Sequence, residues 1–573
     1  MQFSSGRRRG TLPSIVAVVL SLVAPFALPL AGAAQDDTTA PAPSSVARID
    51  ALGGDVAIVR GDENATLAAA PNAPILDGDY ITTGPDGRAE VGFDGRSALR
   101  IGANVQLRLV TVHPANREIQ LAAGTVELRL FGDTDGRSAI DTPSVSVVPR
   151  TAGSFRVAVD GNGETAVTVR AGSVDVETPQ GERSLEPGTT LLADGPAANP
   201  SIQMQPAIAL DDFDGYNADR DHIYLAASAE GQYVNTNIAG IGDLNGNGNW
   251  VDDGTYGYVW MPTSVAPGWA PYRDGNWVWE DSFGWTWVAA EPWGWAPYHY
   301  GRWYFSPAYR RWAWYPPGPG RFAPAWSPAL VGFVGFNVGA AGSGIGFGNI
   351  GWVPLAPFEA FHPWWGPHVT AFANTTVDVR YRNFAVAGAM TSVSRENFAG
   401  GRFGNPMVPS QEQLRSIHPV AMEGALPLVP TAANLRFTQR TVAPSLAVRP
   451  GLMNRAFAGR PEAAAMRTPF SEQQASVARV THVAYHPAAP NAFPSYRSRP
   501  NAGAPSNDPW SRFNGYRNSS APSYTQPQYN RQATPAYAQP QYRRPAAPAY
   551  ARPARAPHPQ ARATHGSDDR HDR

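Results

Sequence analysis

Sixteen of the chain's seventeen tryptophans lie between Trp250 and Trp365, and they recur in a fixed pattern. Three Gly-x-Trp triplets end at Trp250, Trp277 and Trp303, spaced 27 and 26 residues apart. Tryptophan rings fill protein cores or stack on ligands. If the rings are exposed, they could stack on sugar rings of cell-envelope glycans; if not, they form the core of small hairpins. The candidate ligand-binding residues are Trp269, Trp277, Trp279, Trp285, Trp287, Trp295, Trp303, Trp312 and Trp314.

A second candidate site is an Asp/Asn-rich segment just before the first repeat. Its Asp-x-Asn-x-Asn-Gly order is how a calcium-binding loop begins, and calcium prefers carboxylate and amide oxygens. Position twelve of the loop is Gly254 instead of the bidentate glutamate, so a turn rich in side-chain hydrogen bonds is the alternative. The candidate metal ligands are Asp243, Asn245, Asn247, Asp252 and Asp253.

The composition excludes several kinds of chemistry. The chain has no cysteine and its 46 basic residues are all arginine, which excludes thiolate metal sites, thiol catalysis, disulfides and every lysine nucleophile. No phosphate-binding loop, nucleophile elbow or zinc motif is present. We therefore expect a non-enzyme without a cofactor. A glycan hydrolase remains an alternative, because its two carboxylates need not be close in sequence.

Strand alternation is what positions the tryptophans. Trp277 and Trp279 alternate with Val278, and Trp285 and Trp287 alternate with Thr286. The two tryptophans of each pair therefore lie on one face of a strand. Residues 280–284 form the turn between them. The repeat therefore predicts three β-hairpins stabilised by cross-strand aromatic pairs.

Residues 46–195 show the same alternation of side chains but contain no tryptophan. Short alternating segments such as Phe155–Val159 and Ala166–Arg170 flank turns rich in Asp, Asn and Gly. The fold class we predict is mainly β, with a sandwich or stacked hairpins first and the tryptophan hairpins second. One short connecting helix is expected within Asp211–Val234, with its polar side at Asp219–Asp221.

The first β region resembles the FecR family domain. The matching segments are Asp77–Thr83, Gly95–Ile101, Gly153–Val157 and Val174–Val176. Members of that family are membrane-anchored regulators that relay an outer-membrane transport signal to a cytoplasmic sigma factor. Only about 14 residues precede the apolar N-terminal stretch here, so the resemblance implies the β fold and a periplasmic setting. A signal relay that senses an outer-membrane partner is the alternative function.

The tryptophan region resembles an uncharacterised family of bacterial secreted proteins of the DUF6600 type. Tyr258–Pro262, Glu291–Trp303 and Trp352–Pro357 carry the resemblance, which extends from about Asp211 to Gly404. It implies a secreted protein in which this domain follows a FecR-like domain, and it implies no biochemical activity.

The two ends of the chain indicate export and an extended tail. Arg7–Arg9, an apolar stretch and Ala31-Gly32-Ala33 are typical of a cleaved signal peptide, with an uncleaved anchor as the alternative. No helix is expected to span a membrane in the mature chain. From Asn491 onward 12 Arg face 4 Asp, a balance of +8, so the tail could contact anionic envelope polymers; nucleic acid is not an expected partner of an exported protein.

The predicted organisation has seven segments. They are a signal peptide 1–34, a linker 35–45, a FecR-like all-β domain 46–195, a linker 196–206, a helix and connector 207–247, a tryptophan-rich hairpin-repeat domain 248–408 and a low-complexity, largely disordered tail 409–573. The function predicted is a non-catalytic exported binding or scaffold protein, located in the periplasm or outer envelope, with envelope polysaccharide or envelope proteins as partners.

Overall fold

The computed structural model describes most of the chain between residues 46 and 481. The described residues are 46–63, 65–132, 136–337, 347–364, 381–417, 420–422, 424–443, 446, 456–459 and 467–481. The chain divides into two units, Met1–Tyr516 and Arg517–Arg573, and every described residue lies in the first. The predicted signal peptide 1–34, the linker 35–45 and the tail from residue 482 onward lie outside the described residues.

The first region is all β, as the alternation predicts. Its described residues form seventeen strands: β1 Ala47–Gly53, β2 Val56–Val59, β3 Thr66–Ala68, β4 Pro74–Ile75, β5 Tyr80–Thr83, β6 Arg88–Asp94, β7 Ser97–Ile101, β8 Gln106–His113, β9 Asn116–Leu130, β10 Arg137–Asp141, β11 Ser146–Pro149, β12 Gly153–Val159, β13 Thr165–Ala171, β14 Val174–Thr178, β15 Gly181–Leu185, β16 Thr189–Asp194 and β17 Ser201–Pro206.

These strands form two sheets that share one core. In the first sheet, β1, β6, β7, β9, β12, β13, β16 and β17 pair in that order. In the second, β3, β2, β5, β8, β9, β10, β11, β14 and β15 pair in that order. Val91 and Leu99 of the first sheet and Ile81 and Leu107 of the second belong to one buried cluster. The region is therefore a β-sandwich, and it extends past the predicted boundary at residue 195 because β17 adds Ser201–Pro206 to its edge.

Strand β9 belongs to both sheets. Its first half pairs with β8 and β10, and its second half pairs with β7 and β12. The change of sheet occurs at Gly124, whose φ is +85° and whose missing side chain leaves room for Val105. Only glycine adopts this conformation without strain, so this residue lets one strand bend from one layer into the other.

A single long helix, α1 (Asp212–Ala229), follows the sandwich where a helix is predicted. Asp211 caps it: its side chain accepts hydrogen bonds from the amides of Phe213 and Asp214. Of the predicted polar side, Asp219 is exposed, whereas Arg220 donates to Glu90 at 2.6 Å and thus faces the sandwich. Arginines and carboxylates of the first sheet offer ion-pair partners, so that charged side chains share the docking face of the helix with the buried Tyr224 and Ala227.

The second region contains the remaining strands and helices. They are β18 Gly248–Asp252, β19 Tyr258–Pro262, β20 Gly275–Glu280, β21 Gly284–Ala289, α2 Trp295–His299, β22 Arg302–Ser306, β23 Arg311–Tyr315, β24 Val331–Phe336, β25 Asn349–Pro354, β26 Thr391–Ser394, α3 Arg395–Ala399, α4 Gln411–Ile417, β27 Val420–Met422 and α5 Phe470–Thr481. Short 3₁₀ segments occur at Glu230–Gln232, Ile241–Leu244, Arg382–Ala385 and Ala432–Leu435.

Beyond residue 409, where a largely disordered tail is predicted, described segments of the chain pack on the two β regions. Strand β27 pairs with β24, with Ala421 opposite Val334, and the side chain of Phe470 in α5 is buried in the sandwich core. Short apolar segments separated by prolines carry little periodic signal of their own. They fold here because the two β regions already provide surfaces on which to pack.

Candidate functional site

The three predicted hairpins are confirmed, and their tryptophans lie opposite each other. We name them hairpin 1 (β18–β19), hairpin 2 (β20–β21) and hairpin 3 (β22–β23). The register places Trp250 opposite Trp260, Trp277 opposite Trp287, and Trp303 opposite Trp314. Hairpins 1 and 3 join into one sheet through Trp260 and Trp314, whereas hairpin 2 forms its own two-stranded sheet.

The glycine of each Gly-x-Trp triplet has a steric role. A Cβ atom on Gly275 would lie 2.5 Å from the ring of Trp287, the tryptophan on the facing strand. Gly248 stands in the same relation to Trp260, and Gly301 to Trp314. The triplet therefore pairs a residue without a side chain with a ring that lies across it, which explains why both are needed in every unit.

Most of the candidate ligand-binding tryptophans are core residues. Seven of the nine are buried, while Trp269 and Trp279 are half-buried. Several indole N–H groups are satisfied inside the protein, such as that of Trp303, which donates to the carbonyl of Pro297 at 2.8 Å. Ligand binding by these residues stays a prediction, and burial restricts it to rings that reach a cavity or the surface. The buried seven are Trp277, Trp285, Trp287, Trp295, Trp303, Trp312 and Trp314.

A second aromatic cluster lies on the other face of the sheet formed by hairpins 1 and 3, where Tyr304 is buried, Tyr256 and Tyr315 are half-buried, and Phe358 is exposed. We call Tyr256, Tyr304, Tyr315 and Phe358 the aromatic platform. Phe358 is 73% exposed although it is apolar, and its φ of +65° is unfavourable for a bulky residue. Its ring lies 5.7 Å from Tyr315 and 6.2 Å from Tyr256. The structure thus holds a strained, apolar residue in solvent beside two tyrosines.

A cavity of about 250 Å³ lies between hairpin 2 and helix α5. Trp279, Trp285 and Trp364 line it together with Asp281, Gln473 and Ser476. The rings of Trp279 and Trp285 are 5.3 Å apart and nearly perpendicular, at 80°. The indole N–H of Trp279 donates to Gln473 at 2.8 Å, and that of Trp364 donates to the carbonyl of Trp285 at 3.0 Å. Two tryptophans of the predicted set therefore line a cavity.

Sequence reasoning missed the other residues of this cavity. Gln473 lies 194 residues from Trp279, in a segment that was expected to be disordered. Asp281 was interpreted only as part of a turn. The one usable signal was the apolar spacing of Phe470, Val477 and Val480.

Next to the cavity, a buried cluster of charged residues joins three parts of the chain. Arg60 of the sandwich contacts Asp62 at 2.9 Å and Glu280 of hairpin 2 at 2.7 Å. Arg467, just before α5, contacts Asp79 and lies 3.5 Å from Glu280. Burial raises the pKa of Glu280 to about 7, because the two arginines only partly compensate for the loss of water.

The candidate calcium ligands are engaged within the protein. Asp243 pairs with Arg48, its backbone carbonyl accepts from the side chain of Asn247 at 2.8 Å, and Asp252 accepts from the amide of Gly254 at 3.0 Å. Asn245 ends the 3₁₀ segment Ile241–Leu244, and Asp253 lies near Ser306. In the part of the chain that the structure describes, no three His, Asp or Glu side chains are grouped to hold a metal. Calcium binding therefore gains no support and stays a prediction.

His299 is a buried packing residue. Its Nδ1 atom lies 2.7 Å from the carbonyl oxygen of Ser327, and its ring packs against Trp295 and Trp326. Burial lowers its pKa to about 3, so the imidazole is neutral at physiological pH.

Comparison with known families agrees with this architecture. A family model described as "FecR protein" matches residues 79–175, and one described as "Family of unknown function (DUF6600)" matches residues 241–359. The chain therefore carries a FecR-type domain, within the sandwich, followed by a DUF6600 domain, which contains the three hairpins. Both resemblances predicted from the sequence are confirmed.

The chain is also similar to solved structures over a part of its length. Two crystal structures of a "putative anti-sigma factor" from Parabacteroides distasonis are 20% and 19% identical to the chain, each with a TM-score of 0.20. Each match covers 23% of this chain and 60% of that chain. No curated protein matches the sequence. Among the described residues, no helix is long and apolar enough to cross a membrane.

Proposed function

We propose that the protein is a non-catalytic binding and scaffold protein of the cell envelope, exported by its N-terminal segment. The observation that carries this proposal is the position of hairpin 2. Val278 and Val288 on one face of that hairpin pack into the sandwich core. Trp277 and Trp287 on the other face pack into the buried cluster of the second region, which includes Trp295 and Trp303. Because each face of hairpin 2 packs into a different domain, the hairpin holds the two domains together.

Polar contacts also join the sandwich to the second region. Besides the ion pair between Arg60 and Glu280, the side chain of Asn72 in the sandwich donates to the carbonyl of Glu291 at 2.8 Å. The pairing of buried Glu280 with Arg60 accounts for its burial without a catalytic role, since a carboxylate left unpaired there would be destabilising.

The surface that we propose for partner binding is the aromatic platform. Phe358 exposes an apolar ring to solvent, and the half-buried Tyr256 and Tyr315 beside it add hydroxyl groups for hydrogen bonding. This combination suits the flat apolar faces and hydroxyl groups of sugars. We therefore propose that the platform, rather than the tryptophan ladders, contacts an envelope polysaccharide.

Co-sedimentation of the full-length protein with purified peptidoglycan tests this proposal. Phe358→Ser should lower the sedimenting fraction several-fold, because it removes the most exposed ring of the platform. Phe322→Ser is the matched control, since Phe322 is 74% exposed but lies outside the platform. Absence of sedimentation, or equal sedimentation of both variants, would overturn polysaccharide binding through the platform. An envelope protein would then be the better candidate partner.

A signal relay is the second candidate, because the FecR match covers residues 79–175. A relay of this kind requires a retained membrane anchor. The N-terminal sequence of the mature protein distinguishes the two: cleavage after Ala33 or Ala34 supports the free envelope protein, and retention of the apolar stretch up to Leu30 supports the relay.

A further inference from the structure

The cavity between hairpin 2 and α5 has the features of a site for a small ligand, separate from the aromatic platform. Its volume of about 250 Å³ corresponds to roughly eight water molecules at about 30 Å³ each. Ser282, Thr468 and Ser476 at its edge are exposed, so that the cavity is accessible from solvent. Apolar walls with a few polar groups are typical of ligand sites.

The aromatic walls of the cavity are fixed in position. Trp279 and Trp364 are held by the hydrogen bonds of their indole N–H groups, and Trp285 is buried. Gly284 has a φ of +70° and lies 3.4 Å, measured from an ideal Cβ position, from Trp364. Rigid, mutually perpendicular indoles form walls of the kind that attract cations through their ring faces.

The charged cluster beside the cavity has a surplus of carboxylates. Arg467 lies within 4 Å of four of them, and Arg60 is the second guanidinium of the cluster. Four carboxylates against two guanidiniums leave two negative charges when all are ionised. The four carboxylates belong to Asp62, Asp79, Glu280 and Asp281.

This surplus acts directly on the cavity through Asp281, which lines it. Burial raises the pKa of Asp281, with Asp62 adding to that effect and Arg467 opposing it. A positive charge in the cavity would relieve this unfavourable environment. The aromatic walls and the negative charge beside the cavity therefore both favour a cationic ligand.

We propose that the cavity lined by Trp279, Trp285, Trp364 and Asp281 binds a small organic cation, an ammonium group with apolar substituents. This site goes beyond the proposed function and does not depend on polysaccharide binding. The ammonium group contacts the indole faces, and Asp281 supplies the negative charge that a neutral ligand would not need.

Calorimetric titration of the full-length protein tests the proposal with two probes of nearly the same shape. Choline carries a quaternary ammonium group, and 3,3-dimethyl-1-butanol has a carbon atom in place of the nitrogen. Choline should bind saturably and the neutral analogue at least 10-fold more weakly. Asp281→Asn should weaken choline binding and bring the two probes closer together.

Two serine variants on the same helix provide the matched comparison. Ser476→Arg places a long cationic side chain at the cavity, whereas Ser471→Arg places the same side chain on an exposed position of α5 that does not line it. Choline binding should be lost only in Ser476→Arg. The proposal is overturned if choline does not bind, if both probes bind equally, or if both serine variants behave alike. Peptidoglycan co-sedimentation is read separately, so failure of one proposal leaves the other measurable.

Discussion

Glu291 places an ionisable carboxyl group among aromatic side chains of the DUF6600 domain. Its Oε1 atom accepts hydrogen bonds from the indole of Trp269 at 2.8 Å and from the hydroxyl of Tyr298 at 2.9 Å. These donors are neutral, so their hydrogen bonds only partly offset the loss of water. Burial therefore raises the pKa of Glu291 to about 7, so the group titrates near neutrality.

The direction of the pH effect follows from this shift. The folded protein keeps a proton that the unfolded chain releases above its ordinary pKa of 4.5, so the unfolding free energy falls as the pH rises from about 4.5 to about 7. Glu291→Gln, which mimics the protonated form, should match the wild type at pH 4 and exceed it at pH 8. The gain is at most about 3 kcal/mol, at about 1.36 kcal/mol per pKa unit.

Urea unfolding at the two pH values measures this gain, with exposed Glu186→Gln as the control that should show no pH-dependent difference. A Glu291→Gln variant that is less stable than the wild type at pH 8 would contradict the prediction. It would show that the carboxylate is stabilising in its ionised form.

The glycines of the repeat give a second prediction at the level of single residues. Gly275→Ala should lower the unfolding free energy by about 1–3 kcal/mol, because the new methyl group overlaps the ring of Trp287. Gly318→Ala is the control, since nothing lies within 4 Å of a Cβ atom there. Thermal unfolding compares the two, and equal melting temperatures would argue against a steric role for the repeat glycine.

At the scale of elements, helix α1 docks on the sandwich through charged side chains. Asp214 contacts Arg156 at 2.8 Å and Arg170 at 2.9 Å, and Asp221 contacts Arg100 at 2.6 Å. Further along, the apolar contact is carried by Tyr224 and Ala227. Such an interface depends on matched charges, and each one left unpaired in a buried setting is destabilising.

Asp214→Asn and Asp212→Asn compare two aspartates in the first turn of α1. Both variants remove a negative charge near the helix N-terminus, which costs about 0.3–1 kcal/mol. Only Asp214→Asn also leaves Arg156 and Arg170 without this partner, so it should cost a further 1–3 kcal/mol or so, allowing for the partial exposure of the arginines. Denaturant unfolding measures the difference, and similar losses in both variants would show that the ion pairs contribute little.

The features that could be predicted from the sequence are those set by neighbours along the chain. Alternation of Trp277, Val278 and Trp279 around a tight turn fixes the register of hairpin 2, and the capping Asp211 fixes the start of α1. Partners distant in sequence leave no such trace. Glu90 lies 130 residues from Arg220 and Gln473 lies 194 residues from Trp279, so neither the ion pairs of α1 nor the cavity beneath α5 could be recognised.

At the scale of the whole molecule, burial of both faces of hairpin 2 ties the stability of the FecR-type domain to that of the DUF6600 domain. The ion pair between Arg60 and Glu280 lies at this junction, and both side chains are fully buried. Removal of one partner from a buried pair costs about 3–5 kcal/mol because the other charge remains unpaired. Loss of this pair should therefore destabilise both domains, although Arg60 lies in the sandwich alone.

Tryptophan placement allows the two domains to be followed separately. Residues 46–206 contain no tryptophan, so indole fluorescence reports mainly on the DUF6600 domain, whereas far-UV circular dichroism reports on both. The two thermal transitions should coincide in the wild type, and Arg60→Ala should lower both midpoints together, while the exposed Arg183→Ala should leave them unchanged. Separate transitions in the wild type, or a shift in circular dichroism alone, would mean that the domains unfold independently and that hairpin 2 does not couple them.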